Sequence, residues 1–224
     1  MARQPRLDIA GEVFHVINRS NARWQIFKKP KDYRLVLDSL VETLEKFPLE
    51  IFGFCIMPNH WHFVVRAQKN GDIGKFFGKF TQKVTQRWHN AHHTVGSGHL
   101  FQGRFKSFLV QQDSYFLQLM KYVEANALRA KLVKRAQDWQ WGSLYLRYKN
   151  SKLEKNLLTP WPVSIPRDYL RQVNLLISAP TLVDIRRSVN RSRPLGEDNW
   201  VQNKVMRYDL DYTIRERGRP KNYE

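Results

Sequence analysis

Two apolar segments of eight residues are separated by only two residues, and this spacing restricts the fold more than any other feature. The segments are Glu50–Met57 and His60–Ala67, with Pro58 and Asn59 between them. Proline and asparagine favour turns, and a two-residue connection between strands is typical of a β-hairpin. The sequence therefore predicts two adjacent antiparallel strands in this part of the chain.

The segments around this hairpin alternate between strand and helix patterns. Asp113 is a good N-cap for the last of the predicted helices. The order β-α-β-β-α-β-α predicts an α+β protein with a ferredoxin-like antiparallel sheet and helices on one face. Strands are predicted at Glu12–Asn18 and Arg104–Val110, and helices at Lys31–Phe47, Asp72–Asn90 and Asp113–Asn126.

The character of the chain changes after Lys149, where proline-containing loops and short helical patterns follow. We therefore divide the chain into a domain of residues 1–150 and a mostly helical C-terminal extension of residues 151–224 with a basic tail. The extension has enough apolar residues between Pro160 and Trp200 to pack on the first domain. We expect it to dock across or near the functional site.

The chain is strongly basic, with 38 Lys and Arg residues against 20 Asp and Glu residues and a net charge of +18. Such a charge indicates a polyanionic partner, with nucleic acid first and an anionic membrane surface second. No apolar run reaches the roughly 18 residues of a membrane span. The single cysteine, Cys55, excludes an internal disulfide and favours the reducing cytoplasm.

His60 and His62 form the first candidate site. Residues two apart on a strand point to the same face, so the two imidazoles converge, and such a pair can hold a divalent metal. The alternative is a pair of half-buried strand histidines that bind nothing. A zinc hydrolase lacks an obvious third ligand, unless His15 lies on a neighbouring strand.

Tyr122 is the second candidate. Its helix carries a core stripe that includes Phe116 and Leu119, and we place Tyr122 on the opposite stripe with Asn126 and Arg129. Tyr122 is then either an ordinary surface tyrosine or a nucleophile. A phenol is a poor nucleophile at neutral pH unless a metal polarises the phosphate and positive charge surrounds the site.

A third signal is the basic segment before Val110. On a strand, Arg104 and Lys106 share one face, which is either a nucleic-acid contact or a solvated edge.

Three motifs taken together resemble the REP-associated tyrosine transposases, bacterial relatives of the single-tyrosine HUH transposases. Three motifs in this order are more specific than any one alone. They are MPNHWHFVV at residues 57–65, QGRFKS at residues 102–107 and YVEANALRA at residues 122–130.

The resemblance implies a metal-dependent endonuclease and strand transferase with an HUH core, acting on single-stranded DNA. It implies that Tyr122 attacks a phosphodiester and forms a 5′-phosphotyrosine link. It also implies that His60, His62 and Asn126 hold Mg²⁺ or Mn²⁺. The implied substrate is a palindromic REP hairpin with a short single strand beside it.

A non-catalytic protein that recognises structured DNA or RNA is the alternative. Such a protein does not need His60, His62, Tyr122 and Asn126 together. We expect a cytoplasmic bacterial protein associated with the nucleoid, and a monomer, with a dimer as the other possibility. The predicted DNA contacts are Arg19, Arg23, Trp24, Lys79, Lys83, Arg87, Arg104, Lys106 and Arg129, with Arg217 and Arg219 in a tail that resembles a minor-groove arm.

Overall fold

A four-stranded antiparallel sheet forms the centre of the protein, with the strand order β2-β3-β1-β4. The computed structural model describes residues 6–149 and 157–215. The α+β class predicted from the sequence is confirmed. The strands are β1 (Val13–Arg19), β2 (Glu50–Met57), β3 (His60–Arg66) and β4 (Lys106–Val110).

The predicted hairpin is also confirmed, because β2 and β3 pair from Met57 opposite His60 to Glu50 opposite Arg66. Within the described residues, no helix is both long and apolar enough to cross a membrane. The helices are α1 (Pro30–Lys46), α2 (Asp72–His92), α3 (Ser114–Glu124), α4 (Asn126–Arg129), α5 (Ser143–Tyr148), α6 (Tyr169–Val173), α7 (Ala179–Arg191), α8 (Asp198–Arg207) and α9 (Asp211–Ile214).

Helices cover both faces of the sheet, and the expectation of helices on one face is wrong. Along β3, Trp61 and Phe63 pack into the core beneath α1 and α2, whereas Val64 packs into a second core beneath α3. The physical reason is that β2 and β3 are apolar on both faces, with Phe52 and Phe54 in different cores. A strand of this kind has to be covered on each side.

The strand predicted at Arg104–Val110 begins two residues later, at Lys106. The preceding loop bonds across the end of β1 instead, since the Gln102 amide donates to the Arg19 carbonyl oxygen (2.9 Å). The strand alternation that was expected to align Arg104 with Lys106 therefore does not apply.

Segments beyond residue 156 bond to both outer strands of the sheet. The Thr159 amide donates to the Ile51 carbonyl oxygen in β2 (2.8 Å). At β4, Leu195 donates to the Leu109 carbonyl oxygen and accepts from the Gln111 amide (2.8 and 2.9 Å). The extension thus packs on the sheet, while the proposed boundary at residue 150 stays a prediction. The predicted tail contacts Arg217 and Arg219 lie outside the described residues.

Helix α3 approaches β2 closely at Gly53. A methyl group added at Gly53 would overlap the Met120 side chain and stand 3.0 Å from the Ser143 hydroxyl oxygen. The absence of a side chain at Gly53 therefore leaves the space that the end of the Met120 side chain fills.

We expect Gly53→Ala to destabilise the protein by about 1–3 kcal/mol, because the core has no room for the methyl group. Denaturant unfolding measures this change. The matched control is Gly78→Ala in α2, where an added methyl group meets nothing within 4 Å. This control should leave stability unchanged or raise it by up to about 1 kcal/mol. Equal stability of the two variants would contradict the close approach.

Candidate active site

His60 and His62 lie on the face of β3 that α3 covers, as the alternation of the strand predicts. Their ring centroids are 4.9 Å apart, and the rings stand almost perpendicular to each other. His62 is buried, and His60 is partly exposed. The pair therefore presents two imidazole edges toward one small volume.

The hairpin turn fixes the tautomer of His60. The His60 Nδ1 atom lies 2.6 Å from the Asn59 side-chain oxygen, which can only accept. The orientation of this amide is set in turn by its Nδ2, which donates to the Arg23 carbonyl oxygen (3.0 Å). His60 therefore carries its proton on Nδ1, and Nε2 keeps a free electron pair for a ligand.

His15 on β1 orients the ring of His62 in a similar way, through a hydrogen bond at Nδ1. Its Nε2 lies 2.8 Å from His62 Nδ1, and the two rings stack with centroids 4.9 Å apart. When His62 donates this hydrogen bond, its own Nε2 is also left for a ligand. The sequence raised His15 only as a conditional third ligand, and it did not indicate Asn59 at all.

All three histidines are neutral at physiological pH. Burial lowers the pKa of His15 and of His60 to about 3. The positive charges of Arg19 and Arg129 contribute to the low pKa of His60 after burial, and burial holds the pKa of His62 well below its ordinary value of 6.5. A neutral imidazole is the form that binds metal ions.

Tyr122 projects from α3 toward this pair. Its ring is perpendicular to that of His62, with the centroids 5.8 Å apart, and the residue is buried. The expectation of an opposite, exposed stripe is wrong. At about 100° per residue, Tyr122 stands only about 60° around the axis from Leu119, so it flanks the core stripe.

Arg129 covers the other side of the tyrosine. Its guanidinium carbon lies 4.1 Å from the centroid of the Tyr122 ring, and its Nη1 donates to the Tyr122 carbonyl oxygen (2.6 Å). The guanidinium therefore holds a positive charge against the face of the phenol ring.

Asn126 is buried and lies beyond a break in the helix that carries Tyr122. Helix α3 ends at Glu124, two residues earlier than expected, and Ala125 has a ψ angle of 8°. The Asn126 Nδ2 atom is buried and has no hydrogen-bond partner in the described part of the chain. An unpaired buried NH₂ group costs free energy unless an acceptor such as water or a phosphate oxygen engages it, whereas a metal ion would bind the side-chain oxygen of Asn126.

These groups fit a divalent cation. The Nε2 atom of His60, the Nε2 atom of His62 when His62 donates through Nδ1, and the side-chain oxygen of Asn126 are uncharged ligand atoms. Hydrogen bonds at Nδ1 orient both imidazoles, as is usual for metal-bound histidines. Among the described residues, no three His, Cys, Asp or Glu side chains are arranged to hold a metal. A ligand set from this chain would therefore be His60, His62 and Asn126.

A basic cavity of about 250 Å³ opens beside the histidines. Arg19, Arg104 and Lys106 line it, and Asn190 of α7 closes one side. Arg19 stands opposite His60 in the pairing of β1 with β3. Three of the predicted DNA contacts are thus brought together next to the candidate site.

The predicted contacts on α2 lie on the other side of the sheet from the histidines. Lys83 and Arg87 lie on α2, which covers the opposite face of the sheet, and both pair with Glu42 of α1 at 2.8 Å. Lys79 is exposed on the same helix. Near the hairpin, Trp24 is 70% exposed and follows Arg23. The roles of these residues in DNA binding stay predictions.

Comparison with known proteins assigns this architecture to the transposases. The family described as "Transposase IS200 like" matches residues 11–126, just over half of the chain. The chain belongs to this family.

One relative from Haemophilus influenzae carries the provisional name REP-associated tyrosine transposase. It is 23% identical over 112 residues, which are 46% of this chain and 64% of that protein. The chain thus covers less than two thirds of that relative's length. A solved structure of a REP-associated tyrosine transposase bound to a REP hairpin matches with a TM-score of 0.55 at 18% identity. This match covers 74% of this chain and 95% of the other, and it shows a shared fold.

The buried histidines predict that the metal-free protein loses stability in acid. Their pKa values are lower in the folded than in the unfolded state, so the unfolded state takes up protons first. The stability that the neutral histidines contribute is therefore fully present above pH 6.5, and it is lost as the pH drops toward 3. Each histidine contributes roughly 1 kcal/mol per pH unit. Denaturant unfolding in chelator at several pH values measures the slope.

His15→Phe keeps an aromatic ring in the core and removes one of the three titrating groups. We expect the slope of stability against pH below 6.5 to be smaller by roughly 1 kcal/mol per pH unit in this variant. A slope equal to that of the unsubstituted protein would contradict the burial of His15 as a neutral imidazole.

Proposed function

We propose that this protein is a metal-dependent endonuclease and strand transferase that cleaves single-stranded DNA through a tyrosine–phosphate intermediate. The observation that carries the proposal is the placement of Tyr122 between His62 and Arg129. A phenol enclosed by a potential metal-binding pair on one side and a fixed positive charge on the other is arranged for nucleophilic attack on a phosphodiester.

In the proposed step, the Tyr122 oxygen bonds to phosphorus and the bond from phosphorus to the 3′ oxygen breaks. The DNA 5′ end stays linked to the protein through the phosphate. The phenol proton passes to solvent, and the departing 3′ oxygen takes a proton from solvent and becomes a hydroxyl. Attack by a 3′ hydroxyl on the same linkage reverses the step. The tyrosine ester conserves the energy of the phosphodiester, so no nucleotide cofactor is required.

His60, His62 and Asn126 would hold Mg²⁺ or Mn²⁺ in this site. Such an ion, when bound, polarises the scissile phosphate and stabilises the charge that develops on it. The work of the chain itself is orientation: His15 and Asn59 fix the two imidazole rings, while Arg129 fixes Tyr122.

The proposed substrate is a DNA hairpin of the palindromic REP type with an adjacent unpaired strand. The solved structure that shares this fold is described as bound to a REP hairpin, which supports this substrate class. The cavity lined by Arg19, Arg104 and Lys106 offers three cations for the phosphates of a strand passing His60.

Tyr122→Phe removes one oxygen and should abolish the covalent adduct, while DNA affinity changes less than about twofold because phosphate contacts supply most of it. The measurement is a denaturing gel after incubation with labelled single-stranded hairpin DNA and Mn²⁺.

Tyr115→Phe is the matched control for that variant. It makes the same chemical change on α3, two turns earlier, and should leave adduct formation unchanged. Adduct formation by the Tyr122 variant would identify another nucleophile, with Tyr115 examined first. A protein that binds the hairpin tightly and forms no adduct would instead be the non-catalytic binder.

The metal site makes a separate prediction that does not depend on cleavage. His60→Ala and His62→Ala should abolish Mn²⁺ binding in isothermal titration calorimetry. His15→Phe should weaken it by about 10–100-fold, since it removes the group that orients His62. His93→Ala, an exposed substitution in the C-cap of α2, is the control and should bind normally.

Cleavage that persists in excess chelator would remove the metal from the mechanism.

A further inference from the structure

A carboxylate is fully buried at the C-terminal end of the helix that carries Tyr122. The side chain of Glu124 has no exposed surface. Its Oε1 accepts from the Ser143 hydroxyl and from Arg147 Nη1, both at 2.6 Å. Its Oε2 accepts from the Tyr169 hydroxyl at 2.8 Å. Three donors from two other helices, α5 and α6, therefore converge on one side chain of α3.

The donors from α5 connect this carboxylate to the sheet. Arg147 also donates to the carbonyl oxygen of Phe52, and the Ser143 hydroxyl accepts from the Phe54 amide (3.0 Å). Both partners lie in β2. The end of α3 is thus tied to an outer strand through side chains whose own positions are fixed by backbone groups.

The third donor comes from the C-terminal extension. Tyr169 is buried at the start of α6, where its ring packs edge-on against Trp161 with centroids 5.0 Å apart. Burial and the adjacent Glu124 raise the pKa of its hydroxyl well above the ordinary value. Tyr169 therefore keeps its proton and always donates to the carboxylate.

The buried ion pair of Glu124 and Arg147 is not explained by its contribution to the stability of the fold. Desolvation of the two charges offsets most of their attraction, and apolar side chains of similar size often stabilise a core as well or better. What the pair does supply is a directional constraint, because each hydrogen bond is satisfied only over a narrow range of positions.

This constraint acts on the segment between Tyr122 and Asn126. Glu124 follows Tyr122 by two residues and precedes Asn126 by two, and the helix is interrupted between them at Ala125. An interrupted helix does not by itself fix the separation of a side chain before the break from one after it.

We propose that Glu124 and Tyr169 are positioning residues for the cleavage reaction, which hold the break at Ala125 so that Tyr122 and Asn126 face the same phosphate. The proposal rests on the proposed function. It gives the extension a part in the reaction, since Tyr169 belongs to the extension and would act through Glu124.

Tyr169→Phe is the variant that tests this role. Glu124→Ala would leave the Arg147 guanidinium without its partner in the interior, and unfolding would then obscure any effect on the reaction. Tyr169→Phe removes a single oxygen from the cluster. Its matched control is Tyr208→Phe, because the Tyr208 hydroxyl also donates to a carboxylate, that of Glu12 (3.1 Å), at a distance from the histidines.

Three quantities are measured for both variants and the unsubstituted protein: melting temperature, hairpin DNA affinity and the single-turnover rate of adduct formation. We expect a larger loss of melting temperature in Tyr169→Phe than in Tyr208→Phe, because Tyr169 is buried and Tyr208 is partly exposed, so the rates are measured well below both melting temperatures. DNA affinities should agree within about twofold. Only Tyr169→Phe should slow adduct formation, by about tenfold or more, because small misplacements of reacting groups are costly.

Hydrogen exchange supplies a readout that does not depend on activity. The amides of Ala125 and Asn126 should exchange faster in Tyr169→Phe than in Tyr208→Phe. Equal adduct rates in the two variants, or equal exchange at these amides, would overturn the positioning role while the proposed function stands. An unsubstituted protein that forms no adduct would overturn the proposed function and this inference with it.

Discussion

The alternation of side chains along β3 is the constraint on which the rest of the structure depends. Trp61 and Phe63 enter the core beneath α1 and α2, and the intervening His62 enters the space beneath α3. A shift of one residue in the pairing would exchange the two sets. The large aromatic core on one face therefore holds the polar site in register on the other.

The chemistry of the site follows from burial under positive charge. A histidine placed near two arginines is held neutral, and a neutral imidazole with Nδ1 engaged offers Nε2 as a ligand atom. The arginines that disfavour protonation of His60 are also those that would attract a phosphate. Under the proposed function, Arg19 and Arg129 would thus keep His60 neutral and attract a phosphate with the same charges.

Local patterns were sufficient to predict the strands, the hairpin, the first helices and the face shared by His60 and His62, because these depend on periodicity within one segment. Local patterns failed for features that depend on contacts between distant parts of the chain. The contact between His15 and His62 requires the register of β1 on β3, and the Glu124 cluster joins residues 45 positions apart. The break at Ala125 likewise depends on packing that no single segment encodes. The coverage of both sheet faces is different, because the apolar residues on both faces of β2 and β3 already indicate it.

The backbone hydrogen bonds of Thr159 to β2 and of Leu195 to β4 affect how copies of the protein behave when they lie close together. Exposed backbone at the rim of a sheet is the usual template on which further strands of other molecules assemble. Here the chain places its own backbone at both rims. When many copies gather on one length of nucleic acid, strand exchange between neighbours would first have to break these internal bonds, so proximity alone does not drive aggregation through the sheet.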